Sequence, residues 1–312
     1  MLTHFPMIHI AWQGVYPALT TKFTPTDELD LATFGHNLAA QLAAGVSGII
    51  LGGSLGEAST LTDPEKDTLV QAALAQVAGR VPVILNIAEG ATRRAIALAQ
   101  AAEHHGLAGL MLLPPMRYRT DDRETVTYFK AVAQSTSLPI MIYNNPVDYK
   151  TEVNLAGFDE LLRDCPNVQA VKESTRDVSN VTRLKSAFGD RLKVLCGVDT
   201  LAMEELVMGA EGWVAGLGCA FPRETVAIYR LVQAGRLAEA RAIYRWFMPL
   251  LELDIHPKLV QYIKLAEQMA GLGTEHVRAP RLPLVGEERV QIAGIIAQGL
   301  ATRPTLPADL GM

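Results

Sequence analysis

Two residues that support Schiff-base chemistry lie at the ends of short apolar segments. Lys172 ends the segment 168–172, and Tyr143 ends the segment 139–143. If residues 168, 170 and 172 face the inside of a barrel, the Lys172 amine lies in a confined and partly dry cavity. Desolvation disfavours the ammonium form and lowers the pKa of the amine. A neutral amine there can attack a ketone or an imine and form a Schiff base.

Each of these residues also has a simpler structural explanation. Lys172 is compatible with a strand-end lysine that extends to solvent or pairs with Glu173. Tyr143 is compatible with an aromatic plug at the top of a barrel, although a phenol there can also pass protons to and from an adduct. Both residues are expected at equivalent heights on neighbouring strands. The pair therefore indicates catalysis more strongly than either residue alone, and the residue types leave both explanations open.

The segment 53–57, with the sequence Gly-Ser-Leu-Gly-Glu, is a candidate binding loop. Its glycines and its hydroxyl make a short loop whose backbone N–H groups can hold a carboxylate. A tight strand-to-helix turn without a ligand is the alternative. Glu57 is expected to bond the amides of this loop and thus to have a structural role.

Eight apolar segments of strand length alternate with segments of helical periodicity. The apolar segments cover residues 14–19, 48–51, 81–85, 109–113, 139–143, 168–172, 192–196 and 212–216. Several lack strict alternation, as is typical of parallel strands that are buried on both faces. Eight such units predict an α/β fold, a (β/α)8 TIM barrel, in which functional residues gather at the carboxyl ends of the strands. The competing fold, an open doubly wound sheet, usually has a glycine-rich phosphate motif, which this sequence lacks.

The residues after the eighth strand predict a small helical extension. The segments 224–248 and 257–269 have helical patterns, and no linker precedes them. We therefore expect a barrel over residues 1–221 and a C-terminal helical region over residues 222–312 that packs on the barrel.

Composition and charge restrict the class of protein. The 312 residues are 49% hydrophobic and 20% charged, which is typical of a globular protein. The net charge of -5, from 28 Lys+Arg and 33 Asp+Glu, excludes the broad positive field that nucleic-acid binding usually requires. The first residues show no secretion signal, and no apolar segment reaches the ~18 residues of a membrane span. A cytoplasmic protein without a membrane partner is expected.

Cysteine and histidine patterns argue against disulfides and metal sites. The cysteines Cys165, Cys196 and Cys219 are too few and too scattered for a disulfide framework, and we expect reduced, mostly buried thiols. No CxxC or HExxH motif is present, so no metal site is expected.

Three motifs together resemble the dihydrodipicolinate synthase and N-acetylneuraminate lyase superfamily of class I aldolases. They are Gly-Ser-Leu-Gly-Glu at 53–57, Tyr-Asn-Asn-Pro at 143–146 and Val-Lys-Glu-Ser at 171–174. The resemblance covers nearly the whole chain, including the extra C-terminal helices. It implies a homo-oligomer, commonly a tetramer. It also implies that no metal or organic cofactor is used, because the lysine imine is the electron sink.

The resemblance further implies a role for each site residue. Lys172 would form the Schiff base with a small 2-keto acid or its cyclic imine, and Tyr143 would donate and accept the proton. Ser54 would link Tyr143 to solvent. The substrate would be bound by the loop and by the backbone at the end of the eighth strand; these residues are Gly53, Ser54, Leu55 and Ala215.

Departures from the dihydrodipicolinate synthase pattern point to a different substrate. Asp148 stands two residues after the proline of the second motif, where those enzymes have an arginine for a second carboxylate. Met116 and Arg117 replace a tyrosine pair, with a shift of register that brings in Tyr118 as the alternative, and Leu55 replaces a threonine. Four segments are similar to 1-pyrroline-4-hydroxy-2-carboxylate deaminases of hydroxyproline degradation; they are residues 12–18, the motif 143–146 followed by Tyr149 and Lys150, residues 212–214 and residues 244–251.

The favoured hypothesis is deamination and dehydration of 1-pyrroline-4-hydroxy-2-carboxylate to 2-oxoglutarate semialdehyde and ammonia. A pyruvate-dependent aldolase, or an enzyme like dihydrodipicolinate synthase, is the alternative, because the same lysine and tyrosine serve those reactions. A non-catalytic keto-acid-binding protein on the same barrel is a hypothesis of another class. Covalent trapping of a substrate on Lys172 separates the two enzymes from the binding protein.

Overall fold

The computed structural model describes residues 10–115 and 118–310. Eight parallel strands form its central sheet, and each overlaps one of the predicted apolar segments. The strands are β1 (Gly14–Pro17), β2 (Ile49–Leu51), β3 (Val83–Ile87), β4 (Gly109–Leu112), β5 (Ile140–Asn144), β6 (Val168–Glu173), β7 (Lys193–Cys196) and β8 (Gly212–Ala215). Most are buried on both faces, which explains why their residues do not alternate between apolar and polar types.

The sheet closes into a barrel. Its order is β1-β8-β7-β6-β5-β4-β3-β2, so strands that follow one another in the chain are mostly neighbours, and β1 pairs with β8. Between β1 and β2 the contact is a parallel bridge of Ala18 with Ile50, where the Leu19 N–H donates to the Ile50 carbonyl oxygen at 2.9 Å. The predicted (β/α)8 barrel is confirmed.

Helices surround the barrel and continue beyond it. In the described part of the chain they are α1 (Leu31–Ala44), α2 (Asp63–Val77), α3 (Thr92–His104), α4 (Asp122–Ala133), α5 (Pro146–Tyr149), α6 (Leu155–Asp164), α7 (Ser179–Phe188), α8 (Ala202–Val207), α9 (Pro222–Gln233), α10 (Leu237–Leu251), α11 (Leu259–Met269) and α12 (Gly286–Ala301). Two short 3-10 turns, Asp199–Leu201 and Glu252–Ile255, matter for the site.

The C-terminal region contains more helices than the sequence predicts. The single helix expected over 224–248 is divided into α9 and α10, because Gly235 adopts a left-handed conformation with φ +72° between them. Helix α12 was not predicted, since its apolar residues are spread around the helix and form no stripe. It packs on α10 at Gly299, where a Cβ would lie 2.6 Å from the Leu250 Cδ1.

One apolar core extends through both parts of the chain. The cluster of buried apolar side chains runs from Ile10 to Ile296. Helix α9, which begins at Pro222, packs against β1 and β8 and completes the ring of helices around the barrel. The division between residues 1–221 and 222–312 stays a prediction. The cysteines are free and buried, as predicted.

Two buried ion pairs connect α11 to the barrel. Lys264 Nζ lies 2.6 Å from Glu57 Oε1, and Lys22 Nζ lies 2.6 Å from Glu267 Oε1. All four side chains are fully buried. Glu57 thus has the structural role predicted for it, but its partners are Lys264 and the Arg278 N–H rather than amides of its own loop. Among the described residues, none of the helices combines the length and apolar character that a membrane crossing needs.

Candidate active site

Lys172 and Tyr143 lie side by side at the carboxyl ends of β6 and β5. They are partners in the parallel register of the two strands. The next residue of β6, Glu173, accepts a 2.8 Å hydrogen bond from Asn180 of α7 and therefore faces the outer helices. Because side chains alternate along a strand, Lys172 faces the interior of the barrel. This is the orientation on which the Schiff-base hypothesis depends.

The Lys172 amine is buried and lies over an aromatic ring. Its Nζ is 4.0 Å from the centroid of the Tyr143 ring, and only 8% of the residue is exposed. No carboxylate of the described residues comes within 4.0 Å of this Nζ to form an ion pair. Burial lowers the pKa of Lys172 from its usual value, while the Tyr149 hydroxyl and the Asp254 carboxyl limit the decrease. A neutral amine is therefore reached at a lower pH than for an exposed lysine.

The stem of Lys172 is packed against a glycine. Gly197 follows β7, and a Cβ at this position would lie 2.6 Å from the Lys172 Cγ and 2.1 Å from the Ser174 Oγ. Glycine leaves the space that the lysine occupies, so any side chain at 197 would displace it. The Gly197 N–H also donates to the Glu173 carbonyl at 2.7 Å, which fixes this backbone beside β6. These contacts hold the amine at the Tyr143 ring.

The Tyr143 hydroxyl is arranged to carry a proton. It accepts a hydrogen bond from Asn145 Nδ2 at 3.2 Å. Burial raises the pKa of Tyr143 to about 12, although the Asn145 bond acts in the opposite direction. The phenol is therefore protonated near neutral pH and can act as a proton donor. It becomes a base only after it has given up that proton.

Tyr149 is a site residue to which the sequence analysis gave no role. It ends α5, a single turn that begins after the capping residue Asn145. Its ring meets the Tyr143 ring edge to face with centroids 5.5 Å apart, and its hydroxyl lies 3.2 Å from the Ser54 Oγ. Tyr149 thus occupies the position between Ser54 and Tyr143 where a direct link was expected. Its place could not be read from spacing, because nothing in the sequence shows that the turn folds back onto the site.

The loop after β2 carries unpaired backbone donors. The N–H groups of Ser54 and Leu55 have no hydrogen-bond acceptor in the described part of the chain. The Glu57 N–H donates to the Ser54 carbonyl at 3.1 Å and keeps the loop tight. Gly53 has open space where a side chain would be, and the Leu55 side chain is buried. The two N–H groups and the Ser54 hydroxyl can therefore hold a carboxylate.

The end of β8 contributes backbone to the same mouth of the barrel. Ala215 is fully buried, and its carbonyl oxygen accepts the Ala18 N–H at 3.0 Å. Asp199 accepts hydrogen bonds from the Trp213 indole at 2.8 Å, the Gly216 N–H at 3.1 Å and the N–H of residue 217 at 2.7 Å. Asp199 therefore holds the backbone that follows Ala215. The contact of Ala215 with an adduct stays a prediction.

Asp254 is a second residue of the mouth that the sequence analysis missed. The turn Glu252–Ile255 brings its carboxyl against Gly216, where a Cβ would lie 2.1 Å from the Asp254 Oδ1. Burial raises the pKa of Asp254 well above its usual value, and the charge of Asp199 adds to the increase. Asp254 makes no hydrogen bond or ion pair within the described residues. It lies far from the three motifs in the sequence, so no pattern marked it.

Asp148 occupies the position where the resemblance leads us to expect an arginine. Its carboxyl accepts Asn145 Nδ2 at 2.8 Å and lies 3.8 Å from the Arg176 guanidinium, with both side chains partly exposed. A negative group therefore stands where a positive one was expected. Met116 and Arg117, which replace the tyrosine pair of the resemblance, lie outside the described residues.

Known proteins match this chain over nearly its full length. The model of the dihydrodipicolinate synthetase family matches residues 11–299. The chain belongs to this family. A 4-hydroxy-tetrahydrodipicolinate synthase from Exiguobacterium sibiricum is 36% identical over 294 residues, 91% of this chain and 96% of that protein. The synthase from Xanthomonas campestris pv. campestris is 33% identical over 310 residues, 95% of this chain and 99% of that protein.

A solved structure agrees with the family. The 4-hydroxy-tetrahydrodipicolinate synthase from Methylacidiphilum fumariolicum SolV superposes with a TM-score of 0.88 at 28% identity, covering 93% of this chain and 96% of that chain. Membership confirms the chemical class predicted from the motifs: the protein is an aldolase-like lyase of the Schiff-base class. The closer similarity to pyrroline-carboxylate deaminases stays a prediction.

Proposed function

We propose that the protein forms a Schiff base between Lys172 and a small 2-keto acid or its cyclic imine. The observation that carries the proposal is the buried Lys172 amine, which has no ion pair in the described residues and lies 4.0 Å from the Tyr143 ring centroid. Lysines that stabilise this fold from buried positions are paired, as Lys22 and Lys264 are. The contrast supports a reactive role for Lys172.

The two side chains balance the protons of this reaction. The neutral Lys172 amine attacks C2 of the substrate, and Tyr143 gives its proton to the group that leaves C2. That group is the keto oxygen, which departs as water, or the ring nitrogen, which becomes an amine. The iminium then acidifies the C3–H bond, and the Tyr143 phenolate takes that proton. The lysine imine holds the electron pair as an enamine, so this step needs no metal or organic cofactor.

The substrate carboxylate is proposed to bind at the loop after β2. The unpaired N–H groups of Ser54 and Leu55 and the Ser54 hydroxyl are its donors, and the open space at Gly53 admits it. The backbone of Ala215 is proposed to face the adduct from the end of β8. Tyr149 adds a hydroxyl beside Ser54 and connects the loop to Tyr143.

We propose 1-pyrroline-4-hydroxy-2-carboxylate as the substrate and 2-oxoglutarate semialdehyde and ammonia as the products. This compound carries one carboxylate, which the loop can hold. Asp148 supports it over a dicarboxylate, because a negative group stands where a second carboxylate would need a cation, and like charges repel.

The enamine completes the proposed reaction by elimination and hydrolysis. Loss of the C4 hydroxyl as water gives an unsaturated iminium. A shift of the double bond converts the C5 amine into an imine, and water hydrolyses that imine to an aldehyde and ammonia. A second hydrolysis releases the semialdehyde and restores the Lys172 amine.

A second candidate is the synthesis of 4-hydroxy-tetrahydrodipicolinate, and the names of the matched relatives support it. There the enamine of pyruvate would attack an aldehyde and form the C3–C4 bond. A pyruvate-dependent aldolase would run the same step in reverse. Both use Lys172 and Tyr143 as the proposed deaminase does, so the product distinguishes the candidates.

Borohydride trapping and product analysis test the proposal together. Purified protein is mixed with the pyrroline substrate, with a 4-hydroxy-2-keto acid, or with pyruvate and aspartate semialdehyde, and the Lys172 peptide is weighed after reduction. We expect an adduct on Lys172 and ammonia from the pyrroline substrate. Lys172→Met should abolish both, whereas Lys150→Met, at the exposed lysine that follows α5, should retain both.

Each other result has a definite meaning. Pyruvate release, or a condensation product, without ammonia refutes the deaminase and supports the second candidate. Absence of an adduct on Lys172 with every compound refutes the Schiff base and favours the non-catalytic binding protein. We further propose a homotetramer; light scattering should give the mass of four chains, and the mass of one chain would contradict it.

A further inference from the structure

Asp254 differs from Glu57, Glu267 and Asp199 at this end of the barrel, because no described residue pairs with its carboxyl. Glu57 and Glu267 are paired with lysines at 2.6 Å. Asp199 accepts three hydrogen bonds. Asp254 makes no hydrogen bond or ion pair within the described part of the chain. A carboxyl that does not hold the fold together in this way remains free to act on a bound molecule.

The position of Asp254 places it with the reactive pair. The turn that carries it lies on Gly216 at the carboxyl end of β8, and the lack of a side chain there admits the carboxyl. The charged groups that act on it are Asp199 first, then Lys172 and Asp148. Asp254 in turn acts on Tyr143 and on Lys172. Since such effects weaken with distance, they agree with the place of Asp254 on Gly216, at the same carboxyl end of the barrel as Lys172 and Tyr143.

Every candidate reaction leaves one proton without an assigned carrier. Tyr143 accounts for the protons at C2 and C3 of the substrate. Deamination also requires a proton for the hydroxyl that leaves C4. The aldolase must remove a proton from the C4 hydroxyl as the C3–C4 bond breaks, and the synthase must give one to the aldehyde oxygen that becomes the C4 hydroxyl. The C4 oxygen needs an acid or base in all three cases.

We propose that Asp254 exchanges the proton at the C4 oxygen of the Lys172 adduct, a role that rests on the proposed Schiff-base function. In the deamination, the enamine electrons form the C3–C4 double bond while the C4–O bond breaks. The Asp254 O–H gives its proton to the departing oxygen, so water leaves and a carboxylate remains. The carboxylate then regains a proton from solvent before the next turnover.

Two observations fit this assignment. Burial raises the pKa of Asp254 well above its usual value, which favours the protonated form that can donate. Asp254 also comes from the C-terminal region rather than from a barrel strand. The proposal therefore gives that region a chemical role in addition to its packing role.

Asp254→Asn tests the assignment, with Glu252→Gln as the matched control on an exposed residue of the same turn. Hydrogen–deuterium exchange at C3 of pyruvate requires Lys172 and Tyr143 but no C4 oxygen. We expect Asp254→Asn to keep this exchange within about twofold of the wild type and to keep the borohydride-trapped pyruvate adduct. Turnover of the best C4-oxygenated substrate should fall by about 10²–10⁴-fold. Glu252→Gln should leave all three measurements unchanged.

The outcomes separate this proposal from the proposed function. Unchanged turnover in Asp254→Asn overturns the assignment. A parallel loss of exchange and turnover also overturns it, because the residue then acts by supporting the site. If the wild type makes pyruvate or a condensation product instead of ammonia, the deaminase fails, but the Asp254 comparison still applies because those substrates carry a C4 oxygen. If the wild type turns over none of the panel, both proposals are refuted.

Discussion

Replacing Lys264 by methionine tests how the C-terminal region supports the substrate loop. Lys264 and Glu57 are fully buried at 2.6 Å, so the variant leaves Glu57 without its cation. Loss of one partner from a buried ion pair typically costs about 3–5 kcal/mol. The Arg278 N–H at 3.0 Å and the Arg281 guanidinium at 3.7 Å remain beside Glu57. We therefore expect a loss near the lower end, about 3 kcal/mol.

Thermal unfolding measures this effect directly. At about 2 °C per kcal/mol for a chain of this size, a loss of about 3 kcal/mol lowers the midpoint by about 6 °C. Lys258→Met is the control, since Lys258 forms an exposed pair with Glu288 at 2.6 Å and should cost less than about 1 kcal/mol. The double variant Lys264→Met/Glu57→Gln should recover part of the loss, because it removes the unpaired buried charge.

Kinetics provide a second measurement of the same variant. The Glu57 N–H donates to the Ser54 carbonyl, so movement of Glu57 disturbs the donors for the substrate carboxylate. We expect KM to rise more than kcat falls in Lys264→Met. A loss of stability no larger than that of Lys258→Met, or a double variant less stable than Lys264→Met, would refute this account of the buried pair.

Three further perturbations test the site. Gly197→Ala places a methyl group 2.6 Å from the Lys172 Cγ, so trapped adduct formed per unit time should fall by about 10²-fold in the borohydride assay. Tyr149→Phe removes the hydroxyl that bonds Ser54, and steady-state kinetics should show kcat/KM lower by about fivefold, the equivalent of one hydrogen bond. Burial lowers the pKa of Lys172 and raises that of Asp254. Turnover needs a neutral Lys172 and a protonated Asp254, so the pH–rate profile should be bell-shaped.

Each of these three predictions can be contradicted by a specific result. An unchanged rate of trapping in Gly197→Ala would show that the glycine does not position Lys172. Full activity in Tyr149→Phe would remove Tyr149 from the site. The residual activity of Asp254→Asn should show one limb of the bell instead of two, and a bell that persists would refute the assignment of either limb to Asp254.

The barrel could be predicted from the sequence because its strands are marked by composition alone. A parallel strand buried on both faces is a short, nearly continuous apolar segment, as residues 109–113 show. The C-terminal helices were harder to predict. Helix α12 has no apolar stripe. The break between α9 and α10 depends on the left-handed conformation of Gly235, and the presence of a glycine in the sequence does not show that it adopts this conformation.

Some residues of the candidate site could likewise be predicted from the sequence, and others could not. Lys172 and Tyr143 could be found because the fold places functional residues near the carboxyl ends of strands, and each lies one residue before such an end. Tyr149 could not, because its position depends on how the turn after Asn145 folds back. The position of Asp254 in the site depends on the packing of its turn against the residue that follows β8. A contact between segments so far apart in the chain produces no periodic pattern in a single sequence.

The buried ion pairs with α11 affect the order in which parts of the protein become stable during synthesis. As the chain leaves the ribosome, Lys22 and Glu57 emerge long before Lys264 and Glu267 are made. A nascent barrel would thus carry two uncompensated charges in its interior, so it gains full stability only after the late helices dock. Asp254 arrives with those same helices. The proposed distal acid therefore joins Lys172 only after the C-terminal helices have docked on the barrel.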